Sequence, residues 1–126
     1  MSNDFLNVFL TEMKTNVNGF IAVAVTEIES GLSFGNITID PAFDPELAAA
    51  YNLEVVKAKL NAVKALGLNQ DIEDILITLS NQIHIIDISP NKKFMIYLAA
   101  DASKANLGMT RAILRKHKAD VEKNLA

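Results

Sequence analysis

Two apolar stripes share one helical stretch between Asp44 and Leu66, and a chain containing such a stretch has few ways to fold. Ala49, Leu53, Val56, Leu60 and Val63 recur at steps of three and four and carry most of the bulk. Nearly opposite run Tyr51, Val55, Ala58, Ala62 and Ala65, which are smaller in the main. A surface helix of a globular protein buries one such stripe and solvates the rest. A helix with two has to sit between two apolar surfaces. In a chain of 126 residues its own sheet supplies one, and a second copy of the chain is the expected source of the other. The bulky stripe is assigned to the core, where large side chains fill space against a sheet. The smaller one is assigned to a helix–helix contact, because small side chains let helices approach closely. The ends of the helix are well marked. Asp44 stands at the N-cap, Pro45 at the first helical position and Glu46 in the positive end of the dipole, while Gly67 follows Leu66.

Length and composition narrow the setting. Residues 1–126 are expected to form a single domain, and with half the residues hydrophobic and 21% charged the chain is globular, not disordered. No apolar run approaches the roughly 20 residues that span a bilayer. The opening MSNDFLNVFLTEMK has no basic stretch before its apolar part, so it does not read as a secretion signal. Without cysteine there is no disulfide, thiolate metal site or thiol nucleophile. A cytoplasmic location without membrane insertion is expected. The net charge of −3 conceals an asymmetry: residues 1–103 sum to −7 and residues 104–126 to +4. The basic segment is read as a solvated helix face, since no aromatic residues are interleaved to stack bases, and nucleic acid is not an expected partner.

Along the chain, Phe5, Leu6, Phe9, Leu10 and Met13 have helical spacing, and this first helix should end around Asn16–Gly19. Phe20 to Ile28 reads as a strand covered on both faces, and Leu32 to Ile39 as its returning partner after the Glu29-Ser30-Gly31 turn. Gly35 within that strand predicts a bulge or a close backbone approach. After the long helix come strands at about Ile72–Leu79, Gln82–Ile88 and Phe94–Ala100, then a final helix capped near Ser103. The order is α-β-β-α-β-β-β-α, an α+β chain with an antiparallel sheet and helices on its faces.

No catalytic constellation emerges, and the chain is not expected to be an enzyme. His84 and Asp87 have opposite strand parity and face opposite ways, which weakens any base–orienter pairing. His117 borders an apolar stripe. No glycine sits in a phosphate-binding loop, and Gly108 is expected to let the last helix approach the sheet closely. Asp71, Glu73 and Asp74 lack calcium-loop spacing and are read as an exposed, charged strand start. No cofactor or metal is expected.

The element order, the hairpin Thr26-Glu27-Ile28-Glu29-Ser30-Gly31-Leu32 and the segment Ala105-Asn106-Leu107-Gly108-Met109-Thr110-Arg111 together resemble the roadblock family. These are dynein light-chain-like proteins whose bacterial and archaeal members regulate Ras-like GTPases. Ser30-Gly31-Leu32 replaces the family's usual Asp-Gly-Leu turn, and the crossover through Ile39–Phe43 is lengthened. The resemblance covers almost the whole chain. It implies a five-stranded antiparallel sheet in the order 2-1-5-4-3, with the long helix on one face and the two terminal helices on the other. It also implies a homodimer formed by packing the long helices and joining the third strands. Tyr51, Val55, Ala58, Ala62, Ala65, Ile75 and Ile77 are then the expected interface. The partner it implies is a Ras-like small GTPase, and Glu54, Lys57, Asn61 and Lys64 on the polar flank of the helix are the expected contact. A structural adaptor that clamps a larger polypeptide is the alternative reading. A small-ligand sensor is a third, disfavoured by core strand residues that are large aliphatics with few polar anchors.

Overall fold

The structure, a computed structural model, describes residues 2–125, with the side chains of residues 4–125. The elements are α1 (Ser2–Asn16), β1 (Phe20–Glu27), β2 (Ser33–Thr38), α2 (Pro45–Ala65), β3 (Asp74–Thr78), β4 (Gln82–Ile88), β5 (Phe94–Asp101) and α3 (Leu107–Leu125). The strands form one antiparallel sheet in the order β2-β1-β5-β4-β3. Both the order of elements and the sheet topology are those expected.

Strand parity divides the core in two. Val23, Val25, Ile85, Ile96 and Leu98 point to the face covered by α1 and α3, where they meet Leu6, Phe9, Met13, Leu114 and Val121. Ala24, Ile86, Met95 and Tyr97 point to the opposite face, where Ala49, Leu53 and Val56 of α2 pack. β1 and β5, inside the sheet, are almost wholly buried, which is why their sequences run apolar without alternation.

Gly35 does two things at once. The β1–β2 register shifts between Val25 and Thr26, which pair with Gly35 and Ser33, so Phe34 is the extra residue of a bulge. A Cβ on Gly35 would stand 2.9 Å from Leu6 Cδ2, so glycine also lets α1 lie directly on β2.

The ends of α2 are built as the sequence indicates. The Asp44 carboxylate accepts from the backbone N–H groups of Glu46 and Leu47, both at 3.1 Å. At the other end Gly67 has φ +67, and the N–H groups of Gly67 and Leu68 donate back to the carbonyls of Lys64 and Val63. This left-handed closure satisfies carbonyls that the helix leaves open.

α3 departs from expectation at its start. Ser103 does not cap it; its N–H and hydroxyl both donate to Asp101, closing a turn after β5. The cap is Asn106, whose side-chain oxygen accepts from the Met109 N–H at 3.0 Å. Nor does Gly108 allow a close approach, since the only heavy atom within 4 Å of a Cβ placed there is Asn106 Oδ1 at 3.7 Å. Among the described residues no helix is long and apolar enough to cross a membrane.

Candidate interaction surface

The outer side of α2 holds the residues that most need explaining. Ala49, Leu53 and Val56 are buried against the sheet, but Leu60 and Val63 of the same stripe are only half-buried. α2 lies closest to β1 and β2. On the far side Tyr51 is 72% exposed and Val55 38%, Ala58 and Ala65 are exposed, and Ala62 is half-buried. Leu47, Leu66 and Leu68 add exposed apolar surface at the two ends. Ile75 and Ile77, on β3, are half-buried at the margin of the α2-side core. The helix and strand parts of the expected interface therefore lie on the same face of the sheet.

The polar flank borders two shallow depressions. Glu54 and Lys57 line a shallow depression with Gly31, Leu47, Ala50 and Tyr51. Asn61 and Lys64 line a second one with Leu68, Gln70 and Ile72. Glu54, Asn61 and Lys64 are exposed and Lys57 is half-buried. Tyr51 thus stands beside Glu54 and Lys57, so the two surfaces read separately in the sequence adjoin.

His84 lies beside Ile77, its direct partner on β3. Its Nε2 is 2.9 Å from Gln82 Oε1 and its Nδ1 3.2 Å from the Tyr97 hydroxyl. With the Gln82 oxygen accepting, Nε2 carries the proton and Nδ1 accepts from Tyr97. Burial pushes the imidazole pKa down and the Tyr97 phenol up, so both are neutral at pH 7. The rings of Phe43 and Tyr97 meet the imidazole edge-on. His84 is a satisfied core-margin histidine, and Asp87 faces the other side of the sheet.

The charged groups of α3 serve packing, which the sequence did not reveal. Arg111 grips Asp74 through two hydrogen bonds, Nε to Oδ2 at 2.9 Å and Nη2 to Oδ1 at 3.0 Å. Lys118 Nζ reaches Asp87 Oδ1 at 3.2 Å, and the carboxylate is only 3% exposed. Burial pushes the Asp87 pKa up, and Lys118 partly offsets this. His117 Nε2 lies 2.9 Å from Glu12 and packs against Phe9. So Asp74 is not an exposed strand-start charge, and the basic helix is more than a solvated face. Two of its cations, Arg111 and Lys118, neutralise carboxylates on β3 and β4. Among the described residues, no group of three or more histidines or carboxylates is arranged to hold a metal.

A five-stranded antiparallel sheet in this order, with one long helix on one face and two terminal helices on the other, is the roadblock fold. Solved structures bear this out. The Roadblock/LC7 domain from Streptomyces avermitilis superposes with a TM-score of 0.80 at 12% identity, covering 94% of this chain and 95% of that one. MglB of Myxococcus xanthus gives 0.81 at 14% identity over 96% and 94%. The gliding protein MglB from Thermus thermophilus gives 0.80 at 13% identity over 98% and 90%. At these identities the likeness is one of fold. No family model and no curated protein matches the sequence.

Proposed function

We propose that this chain is a non-catalytic homodimer that binds a Ras-like small GTPase and regulates it. The observation that carries the reading is the second apolar stripe of α2, Tyr51-Val55-Ala58-Ala62-Ala65, lying outward on a helix whose other side is already packed. A second copy of α2 is the cover that its small side chains suit, with Ile75 and Ile77 joining the contact from β3. Burying such side chains contributes about 0.8 kcal/mol per CH₂, against which association entropy is set.

The GTPase is the partner class of bacterial and archaeal roadblock proteins, which this chain resembles in sequence and fold. The platform would act by holding switch loops in one conformation, and any rate effect would be a shift of that equilibrium. An arginine supplied to the transferring phosphate is the other known device. Arg111 is poorly suited to it, because its guanidinium is already bound to Asp74. Glu54, Lys57, Asn61 and Lys64 are the proposed contact, beside the dimer stripe and on the same helix.

Three experiments test this. Sedimentation of the wild type should show a dimer that Ala58→Glu with Ala62→Glu converts to a folded monomer; an unchanged dimer would mean the helix faces are reversed. Affinity capture from host lysate, with excess GDP or a non-hydrolysable GTP analogue, should enrich a Ras-like GTPase with the analogue alone. The same large partner under both conditions, and no GTPase, would make the chain a structural adaptor. Lys57→Glu with Lys64→Glu should then weaken GTPase capture while leaving the dimer intact.

A further inference from the structure

β2 and β3 are the edge strands, and neither contains a fully buried residue. β2 is nonetheless held from both sides, with α1 and α2 lying against it. β3 is held chiefly by β4, because α2 sits closest to β1 and β2 and α3 to β4 and β5. Its polar tie to a helix is the pair of hydrogen bonds from Arg111 to Asp74.

That tie answers a problem in the strand pairing. Asp74 stands directly opposite Asp87 of β4. On either side of them, the Leu79 N–H donates to the Gln82 carbonyl at 2.8 Å and the Ile88 N–H to the Glu73 carbonyl at 3.5 Å. Bonded and non-bonded pairs alternate in an antiparallel ladder, so Asp74 and Asp87 form a non-bonded pair, with Cα atoms about 4.5 Å apart and side chains at their closest. Like charges directly opposite one another destabilise a sheet. Here the side chains are only 14% and 3% exposed, so water screens them poorly. Asp87 Oδ2 is buried with no hydrogen-bond partner among the described residues. Burial is the main cause that raises the Asp87 pKa, and the charge of Asp74 adds to it.

α3 supplies the cancelling charge from one flank. Arg111, Arg115, Lys118 and Glu122 recur at steps of four, three and four, which puts them on one side of the helix. Arg111 binds Asp74, Lys118 binds Asp87, and the charge of Arg115 also bears on Asp87. Glu122 ends the row by accepting the Asn91 N–H in the β4–β5 turn at 2.6 Å. We propose that this flank is a charge-operated latch on the edge strand. Arg111 and Lys118 cancel a repulsion between Asp74 and Asp87 that would otherwise part β3 from β4, and withdrawing Arg111 releases β3 while the rest of the sheet stays folded. Arg111 is the movable part, since its side chain is 32% exposed against 20% for Lys118. Leu114 and Val121 keep α3 itself in the core, so the guanidinium can leave Asp74 without the helix moving. The latch needs neither a second copy nor a GTPase.

Native-state hydrogen exchange tests this, with sedimentation used to compare all variants in one oligomeric state. By the parity of the ladder, the N–H groups of Ile75 and Ile77 are bonded to β4. Arg111→Ala should speed their exchange about ten- to a hundredfold, as expected for lost hydrogen bonds to a charged group, while amides between β1 and β5 keep their wild-type rates. Adding Asp74→Asn removes one of the two like charges and should return the rates to within about threefold of wild type. Asp74→Asn alone should also stay within that range, and it gives an answer even if Arg111→Ala folds poorly. Unchanged rates in Arg111→Ala would overturn the latch. Equal acceleration between β1 and β5 would make Arg111 a general stabiliser and overturn it too. If Asp74→Asn alone speeds exchange tenfold or more, or fails to rescue the double variant, the hydrogen bonds and not the repulsion decide the seating of β3, and the latch is again overturned.

Discussion

On the side of the sheet covered by α1 and α3, Phe9, Met13, Leu114 and Val121 are at most 1% exposed. On the side covered by α2, apolar residues grade from Val56 at 0% to Tyr51 at 72% within a few residues of one helix. Both faces of the sheet are apolar. Two helices close the first, and a single helix seated toward β1 and β2 leaves the β3 side of the second open at its margin. The first face accounts for stability within one copy; the second has surface left over for association.

Substitutions on the two sides should therefore separate stability from assembly. The largest loss is expected on the closed face: Phe9→Ala should cost about 3–5 kcal/mol in urea unfolding at fixed protein concentration. A loss below about 1 kcal/mol there would mean that α1 is not part of the core. Next comes the link between α3 and β4. Lys118→Ala removes the cation beside Asp87 and should cost about 2–3 kcal/mol at pH 8, less than a fully buried pair because water reaches Lys118. The Asp87 carboxyl is already raised by burial, and without Lys118 it rises further. A group raised in the folded state contributes stability below its unfolded pKa and loses it as pH rises through the folded value. The penalty should therefore shrink from pH 8 to pH 5, and an equal penalty at both would count against the pair. Removing the α2 cap with Asp44→Ala should cost about 1 kcal/mol. Tyr51→Ala should change the stability of a single copy by less than about 0.5 kcal/mol, yet raise the dimer dissociation constant about tenfold by sedimentation. The reverse pattern would put Tyr51 in a core.

Much of this architecture could be read from the chain because the signals were local. Asp44, Pro45 and Gly67 mark the ends of α2 within a few residues, and β4 occupies Gln82–Ile88 as its bounding turns indicate. The misses have physical causes. Ser103 has the chemistry of a cap, but Asp101 two residues earlier claims both its donors, and Asn106 takes over. Asp74 and Arg111 are 37 residues apart and meet only once α3 folds back across the sheet, so no local pattern announces them. Leu60 and Val63 continue the buried stripe in spacing, but the position of α2 over the sheet decides their burial, and spacing does not encode that. The candidate surface was legible as a second stripe; the depression beside Asn61 and Lys64 is lined by the loop after α2, which has no periodicity to read.

The bulge in β2 has a consequence for how large an assembly can become. If the β3 edges meet, as the homodimer reading has it, each copy covers on the other the edge of its sheet that carries no bulge among the described residues. The enlarged sheet then ends on both sides in a bulged β2. Neither end is a template for a further strand, so growth terminates at two copies instead of propagating into a fibre.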